Sequence, residues 1–430
     1  MTDHRVWRVV GDPLVTGARS GPLAGLTVAV KDVIAVAGQR IGAGVPGYLA
    51  AASPEPRHAT AVARLLAAGA AVRGIAVTEQ FAYSLAGTDE HGPVPPNPAV
   101  PGRIPGGSSS GCASAVALRE ADLGLATDTA GSVRVPASYQ GLWGLRTTYQ
   151  AVDPIGVLPL APDYDTVGLL TRDAATLRAA ASVLLDQGAG RAHPPAAFAV
   201  APALHAGVDE GVAAAFDAAL AEARDAGAVG EVTEVTLPDP AELAEAFRVH
   251  QAWQAWRCYG RWISAHPGAL RGDVRHGFEV AAQVTAQQDA RARATLDLAR
   301  AALEEALADR TLLLPSTATA APEPTAGNGE GGTSEGGASE RGASERGASE
   351  RGASEDGGAE GLRSATLRLT CLAGVTGRPA VSAPALRVDG APLGLCLVGP
   401  PDSDLALVQL AATVQRAVAL GGHQTTREVP

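Results

Sequence analysis

The sequence is organised around two turns rich in glycine and serine, Gly106-Gly-Ser-Ser-Ser-Gly111 and Thr127-Asp-Thr-Ala-Gly-Ser132. Between them, an alanine-rich stretch at 112–119 predicts a helix, and residues 123–126 predict a short strand. Glycine adopts backbone dihedrals that other residues avoid, so the N–H groups of such turns can converge on one point. A serine that ends such a turn, here Ser132, has the parts of a nucleophile with its own oxyanion hole.

Taken alone, these turns leave the chemistry open. Glycine- and serine-rich loops also bind phosphates, but a P-loop reads GxxxxGK[ST], and no lysine follows either turn. The nucleophile elbow of an α/β-hydrolase reads GxSxG, which the residues around Ser132 do not match, and no histidine partner is evident.

The flanking sequence predicts alternating strands and helices. Residues 26–37 and 71–77 are rich in apolar β-formers and predict strands, and residues 59–69 predict a helix that glycine ends. This strand–helix–strand order favours an α/β fold with parallel pairing. Further on, residues 207–227 predict a helix and residues 232–237 a strand.

Lys31 is the only lysine among 34 basic residues, and the other 33 are arginines. A GC-rich genome explains the arginines but not the position of the exception, which lies in the apolar strand predicted at 26–37. Arginine keeps its proton inside proteins, whereas a buried lysine can become neutral and act as a base. Lys31 is therefore a candidate for a deprotonated amine.

Composition restricts the class of protein. The chain has 430 residues, of which 46% are hydrophobic, enough for a sizeable core, and a formal charge of −11 argues against nucleic acid as a partner. The N-terminus has no apolar signal-peptide core, and no apolar run is long enough to cross a bilayer. These features predict a cytoplasmic protein without membrane contact. The four cysteines form no CxxC pair and favour small buried hydrophobes: Cys112, Cys258, Cys371 and Cys396.

Two later segments differ from the rest of the chain. A helix predicted at 241–262 carries three of the five tryptophans, which favours a core or interface role, although the segment remains a candidate pocket wall. Residues 323–361 contain repeated Gly-Ala-Ser-Glu-Arg and no Leu, Ile, Val, Phe, Tyr or Trp. Such a segment cannot bury enough apolar area to offset the entropy of ordering, so it predicts a disordered insert in a surface loop.

The block from 105 to 147 resembles the amidase signature family, and the similarity extends to Val30-Lys-Asp-Val-Ile34, Asp165-Thr-Val-Gly168 and residues 392–400. The resemblance implies one α/β domain over residues 1–430, with a mixed central β-sheet covered by helices on both faces. It also implies amide hydrolysis by a Ser–cis-Ser–Lys triad, without metal or cofactor.

The resemblance implies which residues of this chain form the site, from their positions in the family's motifs. The lysine is Lys31, the bridging serine is Ser108, with a cis peptide bond before it, and the nucleophile is Ser132. The oxyanion hole would be formed by backbone N–H groups of 129–132, that is, Thr129, Ala130, Gly131 and Ser132. The family usually has Gly-Gly-Ser at this turn, so Ala130 is a departure that could reshape the hole.

The segment from Phe81 to Gly87 resembles indole-3-acetamide-type and related bacterial amidases. This implies a modest apolar or aryl amide as substrate, with Phe81 and Tyr83 as substrate-binding candidates. Asp128, Arg134 and Asp165 are interpreted as a structural charge network. A homodimer is also left open.

Three other functions remain as alternatives. A hydrolase of a carboxylated urea would need an arginine aimed into the pocket. A glutaminase-type subunit of a tRNA amidotransferase would need partner subunits, and residues 245–300 do not resemble that protein. A non-catalytic scaffold is disfavoured because all three triad positions are intact.

Overall fold

The computed structural model describes residues 2–88, 90–185, 197–324 and 353–424. The strands of these ranges are β1 (Trp7–Val15), β2 (Thr27–Lys31), β3 (Ala71–Ala76), β4 (Leu123–Asp128), β5 (Trp143–Arg146), β6 (Thr166–Thr171), β7 (Phe198–Val200), β8 (Val232–Glu234), β9 (Thr311–Pro315), β10 (Ala380–Val388) and β11 (Ala391–Val398). They form a single sheet in the order β1-β3-β2-β4-β6-β5-β10-β11-β9-β7-β8.

The helices of the same ranges cover this sheet. They are α1 (Pro46–Ala51), α2 (Thr60–Ala67), α3 (Ser110–Ala117), α4 (Arg134–Gln140), α5 (Ala174–Leu184), α6 (Glu210–Asp225), α7 (Pro240–Ala265), α8 (Gly272–Gln283), α9 (Ala286–Leu307), α10 (Ala353–Thr376) and α11 (Asp404–Gln424). Within the described ranges, no helix is both long and apolar enough to span a membrane.

Alternation along the strands sends side chains into cores on opposite faces. In β2, Val28 and Val30 pack into a core shared with α2, α5, α6 and α11, while Ala29 packs against α3 and α4. Further along the sheet, α7, α9 and α10 pack against Leu312 and Leu314 of β9. The expected α/β fold, with helices on both faces of the sheet, is confirmed.

Parallel pairing is confirmed around β2, which runs parallel to both β3 and β4. The sheet as a whole is mixed, because β6, β5, β10 and β11 join through antiparallel pairs. The strand predicted over 26–37 is shorter, ending at Lys31. The amides of Val33 and Ile34 both donate to the carbonyl of Lys31, at 2.8 and 2.9 Å, and this turn ends the strand.

Most of the predicted insert at 323–361, residues 325–352, lies outside the described residues. Its last nine residues, 353–361, belong to α10. The helix predicted at 241–262 is observed as the longer α7, and the side chain of Asp239 caps its start by accepting from the amide of Ala241 at 2.8 Å.

Candidate active site

Lys31 is the last residue of β2 and has no solvent-exposed surface. Its Nζ donates to the Oγ of Ser108 at 2.8 Å and to the Oγ1 of Thr127 at 3.0 Å. Among the described residues, no carboxylate lies within ion-pair distance of this nitrogen. The amine therefore has only neutral hydroxyl partners.

Burial lowers the pKa of Lys31 to about 8, because a desolvated ammonium ion loses its hydration without a bound counterion to replace it. More distant negative groups, among them Asp128 and Asp165, oppose the shift without cancelling it. Cys112 packs beside the lysine, and burial raises the pKa of that thiol to about 12. The lysine thus loses its proton far more readily than an ordinary lysine does.

Ser108 lies in the first glycine turn, fully buried, and the Gly107–Ser108 peptide bond is cis, as the resemblance implied. The hydroxyl of Thr78 donates to the carbonyl of Ser108 at 2.7 Å. The amide of the following residue, Ser109, donates to the carbonyl of Ser132 at 3.3 Å. The structure therefore places the first turn, which contacts Lys31, directly against the second turn, which ends at Ser132.

Asp128 holds the second turn in place through hydrogen bonds from backbone amides to its carboxylate. Its carboxylate accepts from the amides of Gly131 at 2.9 Å and Val133 at 3.2 Å, and from the guanidinium of Arg134 at 2.9 and 3.0 Å. Arg146 lies 3.3 Å from the same carboxylate. Burial alone would raise the pKa of Asp128, but the two guanidiniums outweigh it and hold this pKa well below its usual range.

The predicted charge network is thus present for Asp128 and Arg134, whereas Asp165 has another role. Its carboxylate accepts from the hydroxyl of Thr129 at 2.6 Å and from the amides of Leu160 and Ala161 at 2.7 and 3.0 Å. Burial raises the pKa of this carboxyl. Asp165 therefore ties the second turn to the segment 160–165.

The departure at Ala130 needs no unusual backbone. The positive φ of the turn, +118°, falls on Gly131, and Ala130 is not among the residues with positive φ. A Cβ on Gly131 would lie 3.0 Å from the Cβ of Thr370, so the position also lacks space for a side chain. Glycine is required at 131, and alanine fits at 130.

The predicted oxyanion hole needs a correction at Gly131. Its N–H donates to Asp128, because this carboxylate sits under the turn in its charged form. The backbone N–H groups of Ala130 and Ser132 have no such partner in the part of the chain that the structure describes. Both residues line a cavity of about 490 Å³.

Apolar and aromatic side chains form part of the cavity wall, among them Ile104, Val135, Tyr139 and Leu160. Tyr83, predicted to bind substrate, also lines it. Burial raises the pKa of this phenol to about 12, so it stays neutral.

Phe81, the other predicted substrate contact, does not line the cavity. Its φ of +48° accompanies a turn in which the ring packs into a buried aromatic cluster. The ring stacks on Tyr259 at 4.1 Å between centroids and meets Tyr48, Trp262 and Phe278 edge-on. Phe81 therefore supports the wall from behind.

Helix α7 supplies a wall of the cavity through one face of its first half: Ala241, Ala244, Glu245, Arg248 and Gln251. The aromatic residues further along α7 pack mainly into the core. The spacing of three and four residues marks one helix face, but nothing in the sequence indicates that this face meets Ser132. That requires the packing of α7 against the nucleophile turn, which residues distant in sequence determine.

Among the described residues, two arginines line the cavity, and each pairs with a carboxylate. Arg248 contacts Glu245 at 2.7 Å, and Arg363 of α10 contacts Asp273 of α8 at 2.7 Å. These pairs balance the positive charge of the guanidiniums.

Known proteins resemble this chain in sequence and structure. The family model described as Amidase matches residues 12–330. Amidase 1 of Arabidopsis thaliana is 45% identical over 180 residues, 42% of this chain and 42% of its own length. A glutamyl-tRNA(Gln) amidotransferase subunit of Symbiobacterium thermophilum is 38% identical over 232 residues, 49% of this chain and 46% of its own.

A solved structure described as a crystal structure of amidase has 30% sequence identity and a TM-score of 0.76. The match covers 92% of this chain and 85% of that chain. The two curated relatives named above, in contrast, are matched over less than half of their own length.

Proposed function

Because the chain belongs to the Amidase family, we propose that it hydrolyses the C–N bond of a small carboxamide through an acyl-enzyme on Ser132. The observation that supports this most strongly is the buried contact of 2.8 Å between Nζ of Lys31 and Oγ of Ser108. This contact joins an amine of lowered pKa to the turn that packs against Ser132.

The proposed reaction begins with Lys31 neutral. The amine takes the proton of Ser108 while Ser108 takes the proton of Ser132, whose Oγ attacks the amide carbonyl carbon. The tetrahedral intermediate collapses, the C–N bond breaks, and the proton returns through Ser108 to the leaving nitrogen. Water then attacks the ester and releases the acid. Such base catalysis contributes about 10²- to 10⁴-fold.

The oxyanion would be stabilised by the N–H groups of Ala130 and Ser132, with Thr129 beside them. Gly131 contributes indirectly, because its bond to Asp128 fixes the shape of the turn. Losing one oxyanion donor typically slows such a reaction about 10²- to 10³-fold.

A neutral apolar or aryl amide suits the cavity best. Ile104, Val135 and Leu160 give the cavity apolar wall, and each of the two arginines that line it among the described residues already faces a carboxylate, Glu245 or Asp273. A carboxylated urea would have to compete with these carboxylates for a guanidinium, so this alternative is disfavoured.

Intact-protein mass spectrometry tests the proposal. Wild type, Ser132→Ala and the control Ser110→Ala would be exposed to a fluorophosphonate and to a panel of amides that includes phenylacetamide, its para-carboxylate and glutamine. We expect one adduct on wild type and on Ser110→Ala, none on Ser132→Ala, and turnover of phenylacetamide over its carboxylate. Turnover of glutamine alone would favour the amidotransferase-type glutaminase instead. Absence of both adduct and turnover would contradict the proposal.

A further inference from the structure

His250 lies on α7 between two carboxylates and is 5% exposed. Its Nδ1 is 2.6 Å from Oδ1 of Asp289 on α9, and its Nε2 is 3.0 Å from Oδ2 of Asp163. A neutral imidazole has one donor and one acceptor nitrogen, and an ionised carboxylate only accepts. Both contacts are therefore hydrogen bonds only when the ring carries two protons.

Gln254, one turn further along α7, provides for the other protonation state. Its side-chain nitrogen is 2.8 Å from Nε2 of His250 and 2.6 Å from Oδ2 of Asp163. One amide N–H can donate to the lone pair of a neutral ring while the other donates to Asp163. The ring thus bonds Asp163 directly when protonated and through Gln254 when neutral.

The segment that holds Asp163 leads directly to the nucleophile turn. The amide of Asp163 donates to Oε1 of Gln254 at 3.1 Å, and the carbonyl of Tyr164 accepts from Arg146 at 2.9 Å. The next residue, Asp165, binds the hydroxyl of Thr129 at 2.6 Å. Thr129 lies three residues before Ser132. Three consecutive residues therefore connect α7 to the turn.

The charged and titratable groups that face His250 come from three elements. Asp289 lies on α9, and Asp163 and Tyr164 lie on the segment 160–165, with the Tyr164 ring edge-on at 5.6 Å between centroids. Arg300 of α9 acts electrostatically on Tyr164. On α7 itself, Gln254 contacts the ring.

We propose that His250 is a positioning residue for the proposed amide hydrolysis. Its protonated ring fixes the segment 160–165 against α7 and α9, and through Asp165 and Thr129 it sets the turn that ends at Ser132. When the ring is neutral, Asp163 is held only through Gln254 and the turn is less firmly positioned. The inference rests on the proposed function.

The kinetic test compares kcat and KM of His250→Gln with those of wild type at one fixed pH. We expect kcat to fall about three- to tenfold, the effect of one hydrogen bond, while KM changes little. The same fall in kcat is expected for Asp163→Asn, whose exposed position keeps the test open if His250→Gln fails to fold. The control His266→Gln, an exposed histidine at the end of α7, should keep the wild-type kcat. A wild-type kcat in both His250→Gln and Asp163→Asn would overturn the proposal.

A second measurement does not depend on turnover. In isotope-labelled protein at one fixed pH, the amide signal of Gly131 should differ from that of wild type in His250→Gln and in Asp163→Asn, and should be unchanged in the control His266→Gln. A Gly131 signal that is the same in wild type and in His250→Gln would overturn the proposal. If the protein hydrolysed no amide, the proposed function would fail while this coupling could still be read.

Discussion

Lys31 and Asp128 are both completely buried and belong to neighbouring strands, yet burial has opposite outcomes for their charges. Lys31 has two hydroxyl partners, and its pKa falls to about 8. Asp128 faces two guanidiniums, and its pKa falls well below the usual range, so it stays ionised. The partner, more than the burial, decides whether a buried charge is kept or released.

This contrast also explains the choice of cation. Around Asp128 a fixed charge is wanted, and arginine supplies it with several donors in a rigid fork. In the proposed reaction the cation beside Ser108 must give up a proton, which arginine cannot do inside a protein. The chain uses arginine at 33 positions and lysine only where the amine contacts a serine hydroxyl.

The largest expected effect comes from Lys31→Arg. This change puts a cation that keeps its proton, like the arginines around Asp128, beside Ser108. We expect kcat to fall about 10²- to 10⁴-fold, because the base is lost while the charge remains. Lys31→Met should be equally inactive. Steady-state turnover with the amide identified by mass spectrometry measures both.

Lys31→Arg and Lys31→Met should differ in thermal stability. At pH 7 the wild-type lysine is charged in the folded and unfolded states, and its lowered folded-state pKa means that the buried ammonium destabilises the fold. This cost diminishes as the pH rises from about 8 towards 10.5. Lys31→Met should therefore melt above wild type at pH 7, with a smaller advantage at pH 10. A lower melting temperature for Lys31→Met than for Lys31→Arg would contradict this account.

Asp128→Asn removes the carboxylate that pairs with Arg134 and Arg146. It leaves two buried guanidiniums without a carboxylate, so we expect the free energy of unfolding to fall by about 3–5 kcal/mol, measured by urea denaturation. Asp3→Asn, which disrupts the exposed pair with Arg5, is the control and should cost less than about 1 kcal/mol. Equal losses in the two variants would show that Asp128 is not a structural ion.

A smaller effect is expected from Thr127→Val, which keeps the shape but removes one acceptor of the Lys31 ammonium ion. A hydrogen bond of about 0.5–1.5 kcal/mol corresponds to roughly 0.4–1.1 pH units. The pKa of Lys31 should fall by this amount, and kcat should fall at most about tenfold. Thr147→Val, a buried threonine bonded to Val167, should leave the pH dependence in place. A higher pKa of Lys31 in Thr127→Val than in wild type would contradict the expectation.

The sequence predicted the centre of the molecule better than its periphery. Strands β2, β3 and β4 and the turns around Ser108 and Ser132 are local features, marked by apolar runs and glycines, so they could be located from the sequence. The second half of the sheet depends on antiparallel pairings between distant segments, which no local pattern specifies.

The candidate site shows the same division. Gly131 was expected to donate to an oxyanion, but the position of Asp128 under the turn takes its N–H. Phe81 was expected in the cavity, but aromatic residues from α7 and α8 draw it into the core. The face of α7 that lines the cavity and the contacts of His250 arise from packing between elements. No sequence motif predicts them.

The pH dependence of kcat/KM between pH 5.5 and 9.5 tests the central claim most directly, namely that burial among neutral partners makes Lys31 a base. We predict that kcat/KM rises with pH, approaching tenfold per unit well below pH 8, and levels off above an ionisation near 8. The residual activity of Lys31→Arg should lack this ionisation. A profile that is flat from pH 6 to 9, or an ionisation near 8 that survives in Lys31→Arg, would contradict the account.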